Sequence, residues 1–598
     1  MTLSKRLILL FIGCFGSAMG QELLAPLTSN PIIQDHIEKY GPMQKSLVSD
    51  TLNLPFYDDF SDDVLFPRED RWEDSYTYVN LDMAIAPPSY GVVTFDGLNE
   101  FGLAYNIVNA SSYGVADYLT SKPIDLNYFP SDSVYLSFYY QAQGIGNEPE
   151  SEDSLVLEFR GPDTLGWRHV WSTRGEEYDD FKSVYIPITD TSLLKRGFQF
   201  RFKNYATLSG NLDHWHVDYI ILNEGRSRND SAIDDICISE RPGPILADYY
   251  TVPWTHFSSL TDPYKAANRV YFQNRAGGVR NVNFGYRLYQ DGQNIFNSNV
   301  LFKNSNPFTF DSVNYVFQSN LENITTNSND SSDVEIKYFI QSVPDVRPEN
   351  DTLTFKQSFH NYYAYDDGSA ERGYALNDLS AKMAYYINPL KDDILRGVEL
   401  YFPPTLIDAT NNRFKIGIWT VGQDGSPSLA LYKSDSIYQP RFTPMNYYAR
   451  YLLDSALVID QPVFIGIEQQ FSNEMYVGYD RNFDNSDKLY YFVSGLWLPS
   501  EIEGSLMLRP MFGAEVTSDL RVDEDELAEF TVYPNPAVEE IRWSGDDQSA
   551  YFILDMQGRT VLSGRGTKAD IGFLSEGMYV LTKEERGRVI RSRFIKLN

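Results

Sequence analysis

The sequence predicts an all-β protein built from tandem β-sandwiches: two jelly-roll-like, one immunoglobulin-like, and a small C-terminal one. Three observations predict it. Tyr and Phe are abundant, at 43 and 37 residues, and aromatic side chains suit the pleated, half-buried surface of a strand. Short segments alternate apolar and polar residues with the period of two that places one face dry and one wet. Long Ala/Leu/Glu/Lys stretches of helical period are nearly absent. At 598 residues the chain also exceeds the roughly 250–300 residues that one core can serve, so three or four domains are expected.

The chain opens with Lys5 and Arg6, an apolar run from Leu7 to Ala18, and the small-residue site Ala18-Met19-Gly20 before Gln21. That is the charge, length and cleavage pattern of a secretory signal peptide over residues 1–20. The run is too short to span a bilayer, and no other segment is an anchor, so the mature chain is expected to lack a transmembrane segment. Phe11-Ile12-Gly13-Cys14 loosely resembles a lipoprotein box, but Phe is unusual at its first position and the later cleavage site fits better.

Residues 21–53 form an N-terminal segment. Residues 54–240 read as one jelly-roll sandwich with strands such as Val134–Gln141, Leu155–Arg160 and Phe198–Lys203; the last sets Phe198, Phe200 and Phe202 against Gln199, Arg201 and Lys203. Pro242-Gly243-Pro244 breaks the pattern. An immunoglobulin-like unit then covers 241–359, with a strand at Asn281–Tyr289 and a tight turn at Gln290-Asp291-Gly292-Gln293. Inside it the tract Asn323–Asp333 has too little apolar content to pack and reads as an exposed loop. A second jelly-roll-like unit over 360–517 carries alternating strands at Phe414–Trp419, Val463–Glu468 and Met475–Tyr479. Residues 518–529 hold one basic and six acidic side chains with little to bury, which makes an acidic linker.

Charge separates the last module from the rest. The chain carries −32 overall, yet residues 530–598 are near +1 and the mature body near −35. Such an acidic surface excludes nucleic acid and anionic lipid as bulk-surface partners, because both need a positive field. The mature body has Cys237 alone, so it forms no internal disulfide and relies on its cores, with metal ions as the remaining kind of staple.

Residues 530–598 run Tyr533-Pro534-Asn535-Pro536, a strand at Ile541–Trp543, a hairpin around Gly558, then Leu574-Ser575-Glu576-Gly577-Met578-Tyr579 and a closing strand that ends Phe594-Ile595-Lys596-Leu597. Tyr533, Pro534, Asn535, Pro536, Gly558, Gly577, Tyr579 and Lys596 carry a close resemblance to the type A C-terminal sorting domain of the type IX secretion system of Bacteroidetes. The resemblance implies handling by the outer-membrane translocon and its C-terminal signal peptidase. The cargo is then released or attached at the cell surface. Asp-Ser/Thr-aliphatic triplets such as Asp153-Ser154-Leu155 resemble the O-glycosylation acceptor of the same bacteria.

Phe56-Tyr57-Asp58-Asp59-Phe60, Thr94-Phe95-Asp96-Gly97-Leu98 and Asp213-His214-Trp215-His216-Val217-Asp218-Tyr219 give the first unit a looser similarity to MAM-like and concanavalin-like jelly rolls. In such sandwiches carboxylates of the first and last strands hold structural calcium (Ca2+), which makes Asp58 or Asp59 with Asp218 a candidate site. His214, His216 and Asp218 would share a strand face, but zinc needs three or four converging ligands. Asp480-Arg481-Asn482-Phe483-Asp484 has calcium-loop spacing, with Asn485 in place of the glycine and Tyr491 in place of the bidentate Glu, and so reads first as a polar turn. Asp366-Asp367 reads as a turn too.

Neither Gly-x-Ser-x-Gly nor His-Glu-x-x-His occurs, the six histidines are scattered, and Cys237 sits beside Asp234-Asp235, which opposes a thiolate. Trp167, Trp171 and Trp215, or Tyr362-Tyr363-Ala364-Tyr365, are either sugar-stacking platforms or core filling. The expectation is therefore an extracellular or cell-surface binding or adhesion protein with a glycan or surface-protein ligand and no catalytic residues. The alternatives are a hydrolase of polysaccharide or peptide, and a structural subunit of an outer-membrane assembly.

Overall fold

A computed structural model describes residues 22–41 and 50–597, apart from 63, 165, 258–264, 318–320, 322, 326–330, 408, 443–446, 514–531, 544–549, 555–559, 576 and 586–587. The signal peptide, the acidic linker and Gly558 lie outside the described residues. The chain is all-β, with two α-helices among the described residues, Pro31–Tyr40 and Trp254–Phe257. It divides into two compact units, residues 1–514 and 515–598.

The first sandwich pairs two antiparallel sheets. One runs Lys182–Pro187, Tyr135–Ala142, Trp215–Asn223, Val92–Phe95, Tyr78–Asn80, with Phe56–Asp58 added to Trp215–Asn223. The other runs Tyr113–Thr120, Arg196–Thr207, Ser154–Arg160, Arg168–Arg174. The alternation read around residue 200 sets the packing: Phe198, Phe200 and Phe202 are fully buried between the sheets against Phe138, Leu157 and Trp215. Arg201 and Lys203, on the opposite face, share Glu158 at 2.7 and 2.9 Å.

The middle sandwich faces a three-stranded sheet, Ile236–Ile238, Ala267–Asn274, Thr309–Val316, with one built on Arg280–Gln290, Ser332–Gln341 and Thr352–Phe359. The predicted turn closes the hairpin from Arg280–Gln290 to Gln293–Asn297. Asp291 and Gly292 there have φ of 46° and 80°, left-handed angles that glycine adopts without strain and Asp tolerates. Residues 326–330 of the polar tract lie outside the described residues; ahead of them Ile324 is buried in the core, and after them Ser332 and Asp333 already pair with Phe359 and Ser358.

In the third sandwich a six-stranded sheet, Pro427–Lys433, Phe414–Val421, Val463–Gln469, Lys382–Ile387, Leu489–Val493, Leu496–Pro499, covers Ala449–Ile459, Asp393–Leu400 and Leu508–Phe512. Residues 240 and 359 are not breaks in packing. One continuous apolar core runs from Ile236 to Phe512, bridged by Ile245, Tyr249, Val252 and Trp254 of the connecting segment. The N-terminal segment is equally integrated: Glu22–Ala25 adds a strand to Arg372–Leu376 of the third sandwich. A few residues on, Leu27 and Asn211 exchange hydrogen bonds, and Asn30 N donates to Gly102 O in the first. This segment stitches the two jelly-roll-like parts together.

The C-terminal unit has its own core of Val532, Ile541, Trp543, Ile553, Ile571, Leu581 and Phe594. It lies between a four-stranded sheet, Thr560–Arg565, Ala550–Leu554, Gly577–Glu585, Arg588–Lys596, and the pair Glu540–Arg542 with Lys568–Asp570.

Asp366, fully buried in the third sandwich, receives Arg509 through Nε at 3.1 Å and Nη2 at 2.5 Å, and the Tyr448 hydroxyl. Asp366→Asn leaves a buried guanidinium without its anion and is expected to destabilise the body by about 3–5 kcal/mol. Loss of the exposed Asp487–Lys488 pair through Asp487→Asn should change stability by less than about 1 kcal/mol. Denaturant midpoints of the two variants check the contrast.

Candidate functional site

In the C-terminal unit the opening and closing motifs of the module meet. Tyr533 N and Arg542 N each donate to the other's carbonyl, at 2.9 and 2.8 Å. The Asn535 side chain accepts from Ile595 N at 2.9 Å, and Ala537 N and Leu597 N bond to Ile595 O and Ala537 O. Tyr533, Pro534, Asn535 and Pro536 are all exposed beside the closing strand. Tyr579 is buried and stacks on Phe594 at 5.7 Å, while Gly577 is paired with Lys596 across the sheet. Lys596 is buried along its stem, with Nζ bonded to Leu597 O at 2.5 Å. Tyr579 and Lys596 therefore support the fold, while the Tyr-Pro-Asn-Pro run lies at the surface.

The carboxylates predicted for calcium lie at the seam between the first two sandwiches, where cationic and amide side chains occupy two of them. Asp58 takes Arg71 at 3.0 Å and the Trp72 indole N–H at 2.7 Å. Asp59 takes Arg347 and the Asn350 amide, both at 3.1 Å and both from the middle sandwich. Asp218 accepts from Ser89 N at 2.9 Å and Tyr219 N at 2.6 Å. Burial, reinforced by Asp59, pushes its carboxyl well above the usual range. Among the described residues the group of three carboxylates whose oxygens all lie within 4.8 Å of one another is Glu150, Asp153 and Asp213.

His214 and His216 are not a ligand pair either. Asn147 N donates to His214 Nδ1 at 3.0 Å, while His216 bonds Thr94 Oγ1 at 2.9 Å and Gln143 O at 3.2 Å. Burial holds His216 near about 4 and His214 well below its usual value, so both are neutral. His256, the one described histidine with a close carboxylate, is locked between the Tyr363 hydroxyl and Asp393, each at 2.7 Å. Cys237 is buried, donates to Pro88 O at 3.0 Å, and has its thiol pushed up by burial and by Asp235.

The Asp366-Asp367 and Asp480–Asp484 turns, far apart in the chain, come together. Asp480 accepts from Asp367 N at 2.7 Å and from Asn482 N at 2.6 Å. Arg241 lies 3.2 Å from Asp367, and Glu371 accepts from Arg481 N at 2.7 Å. Beside them a cavity of about 40 Å³, lined by Ser29, Asn30, Asp82, Asp96, Met83 and Glu371, lies between the two jelly-roll-like parts. That volume admits a water molecule.

Of the aromatic residues singled out by sequence, Trp215, Tyr363 and Tyr365 are core, and Trp167 lies under the guanidiniums of Arg160 and Arg201. The aromatic plate lies elsewhere, on the outer face of the six-stranded sheet. Gly417, Gly466 and Ala384 align across three central strands and leave a shallow trough. A Cβ at Gly417 would fall 2.3 Å from the Trp419 ring, so only glycine lets that ring lie flat. Trp419 contacts Trp497 at 5.2 Å, Phe464 contacts Tyr386 and Tyr490, and Lys382 sits 3.8 Å over Phe492. Trp497, Tyr490 and Phe492 are half-exposed. The sequence signal for this plate was the outward half of three alternating strands.

Residues 531–597 match the family described as the secretion system C-terminal sorting domain. The match supports a cargo of the type IX secretion system, carried to the cell surface or the extracellular space. No curated protein matches the chain. Among solved structures it is similar to the glycoside hydrolase domain of Endo-D from Streptococcus pneumoniae R6, with 8% identity, 52% of this chain, 44% of that one and a TM-score of 0.19. A GH2 β-galacturonidase from Eisenbergiella tayi gives 9%, 54%, 45% and 0.20. A Bacteroides uniformis β-glucuronidase gives 12%, 46%, 30% and 0.18. The chain spans less than half the length of each, and likeness this slight carries no argument about activity. The MAM-like resemblance of the first sandwich finds no counterpart among these matches. Among the described residues no helix is long and apolar enough to cross a membrane.

The cavity carboxyls titrate in an unusual range. Burial pushes Asp96 up to about 7, and burial followed by repulsion from Asp367 pushes Glu371 up to about 8. A carboxyl raised above its unfolded value contributes stability that is full below the unfolded pKa and is lost as pH rises through the folded one. The body should therefore lose thermal stability between pH 5 and pH 8. Glu371→Gln, which mimics the protonated acid, should flatten that slope by up to about 1.4 kcal/mol per pH unit, as read from melting curves across the range.

Proposed function

We propose that the body is a binding protein displayed or released outside the cell, that its ligand is a glycan, and that the aromatic plate of the third sandwich is its contact face. The plate carries the reading. It lies outside the main core: Ala384, Trp419 and Phe464 are buried in a cluster of their own, and the part-exposed Tyr386, Tyr490 and Trp497 pack over it and supply the accessible surface. Lys382 and the Lys433–Glu468 pair, at 2.8 Å, edge it with charge. Half-exposed aromatic rings, packed edge to face and rimmed by charge, offer apolar surface to the apolar face of a pyranose, whose hydroxyls would meet the rim.

Each buried histidine and Cys237 is held neutral or hydrogen-bonded to the scaffold. The C-terminal unit delivers the body to its place of action, with the exposed Tyr533–Pro536 run as the face read by the translocon.

The mature chain applied to a glycan array should bind a defined set of polysaccharides. Trp497→Ala should weaken that binding at least tenfold while the melting temperature stays within a few degrees. Turnover of the bound glycan would move the protein to the hydrolases. Capture of a stoichiometric envelope protein in place of any glycan would make it an assembly subunit.

A further inference from the structure

Outside the plate and the cavity, the carboxylates of Glu150, Asp153 and Asp213 converge with part of their chemistry unsatisfied. Asp153 and Asp213 are buried, at 1% and 0% exposure, and Glu150 opens to solvent beside them, with one oxygen of each within 4.8 Å of the others. The positions follow from the sandwich topology. Residues 143–153 carry the chain from Tyr135–Ala142 in one sheet to Ser154–Arg160 in the other, and residues 208–214 carry it back from Arg196–Thr207 to Trp215–Asn223. Both crossovers lie at the same end, where Trp215 pairs with Ala142 and Gln143 N donates to His214 O.

One oxygen of each buried carboxylate is accounted for: Asp153 Oδ2 accepts from Glu150 N, and Asp213 Oδ2 from Thr207 N, both at 2.6 Å. The other two are not. Asp153 Oδ1 and Asp213 Oδ1 are buried and meet no N–H or O–H donor of the scaffold; what they face is the other carboxyls of the trio. Nor do the three residues form an ion pair among the described residues, in contrast to Asp58, Asp59, Asp366 and Asp367, each of which meets an arginine. Two buried carboxylates and a third at the mouth, with no internal cation, are costly unless a cation or protons neutralise them.

We propose that Glu150, Asp153 and Asp213 form a calcium site that ties the two sheet-to-sheet crossovers together. All three donors are carboxylate oxygens, with no imidazole or thiolate in the set, and such a set selects a hard divalent cation over zinc or copper. Calcium tolerates the irregular, water-completed geometry of a loop site, and it is abundant outside cells at the concentrations that weak extracellular sites require. The loop that supplies Glu150 and Asp153 also bears Gly146, whose carbonyl accepts from Arg372 Nη2 of the third sandwich at 3.1 Å. The ion would thus hold the end of the first sandwich in register with its neighbour.

The test takes the mature chain, stripped with EDTA and titrated with CaCl2 by equilibrium dialysis and in melting curves. The wild type should bind one calcium that Asp213→Asn weakens at least tenfold, and millimolar calcium should raise the wild-type melting temperature by several degrees with little effect on that variant. Glu150→Gln, at an exposed position that leaves the buried pair intact, should weaken binding several-fold and guards against a folding defect in Asp213→Asn. Calcium uptake unchanged in both variants, or no uptake anywhere in the millimolar range, overturns the proposal; in the second case protons held by the carboxyls are what neutralise the site.

Discussion

A body with a charge near −35 that folds as one block must find a partner for every carboxylate it buries, and its seams are organised by that requirement. Burying an isolated carboxylate costs several kcal/mol, so it must meet a cation, a set of amide donors, or a proton. Each solution occurs at a boundary between parts. Asp59 of the first sandwich meets Arg347 and Asn350 of the middle one. Asp367 meets Arg241 from the connecting segment. Glu371 and Asp96 line the cavity between the jelly-roll-like parts, with carboxyls raised to where protons are held near neutral pH. Such contacts demand specific partners, so they fix the relative position of the sandwiches, while the shared core from Ile236 to Phe512 supplies the bulk of the adhesion.

Local features were legible in the sequence and long-range ones were not. Phe198, Phe200 and Phe202 are buried as their period of two implies, and Asp291-Gly292 makes the turn its residues favour. Both rest on neighbours in the chain. The strand Glu22–Ala25 carries no such signal, because it is short and its partner Arg372–Leu376 belongs to the third sandwich, with the first two lying between them in the chain. For the same reason Asp59 and Asp218 look like a metal pair by position, while the arginine that occupies Asp59 comes from the far end of the middle sandwich. The converging trio of Glu150, Asp153 and Asp213 is hidden because its last member enters on a separate crossover, after four intervening strands. Asp213 opens the run Asp213–Tyr219, but nothing local marks it as short of a partner.

The C-terminal unit follows the opposite logic. Its motifs are contiguous within residues 530–598, its charge is close to neutral, and its core draws on none of the body's residues. That autonomy suits a sorting domain, which works independently of its cargo when no strand or core residue of one unit is lent to the other. The body meets this condition, since its sheets all close within residues 22–512.

The most direct measurement is the fate of a chain that ends at residue 514. If label and cargo are independent, this chain should accumulate in the periplasm as a folded body, resistant to protease and melting like the mature protein, with none reaching the exterior. Its arrival outside the cell in normal yield, or its failure to fold, would contradict the account.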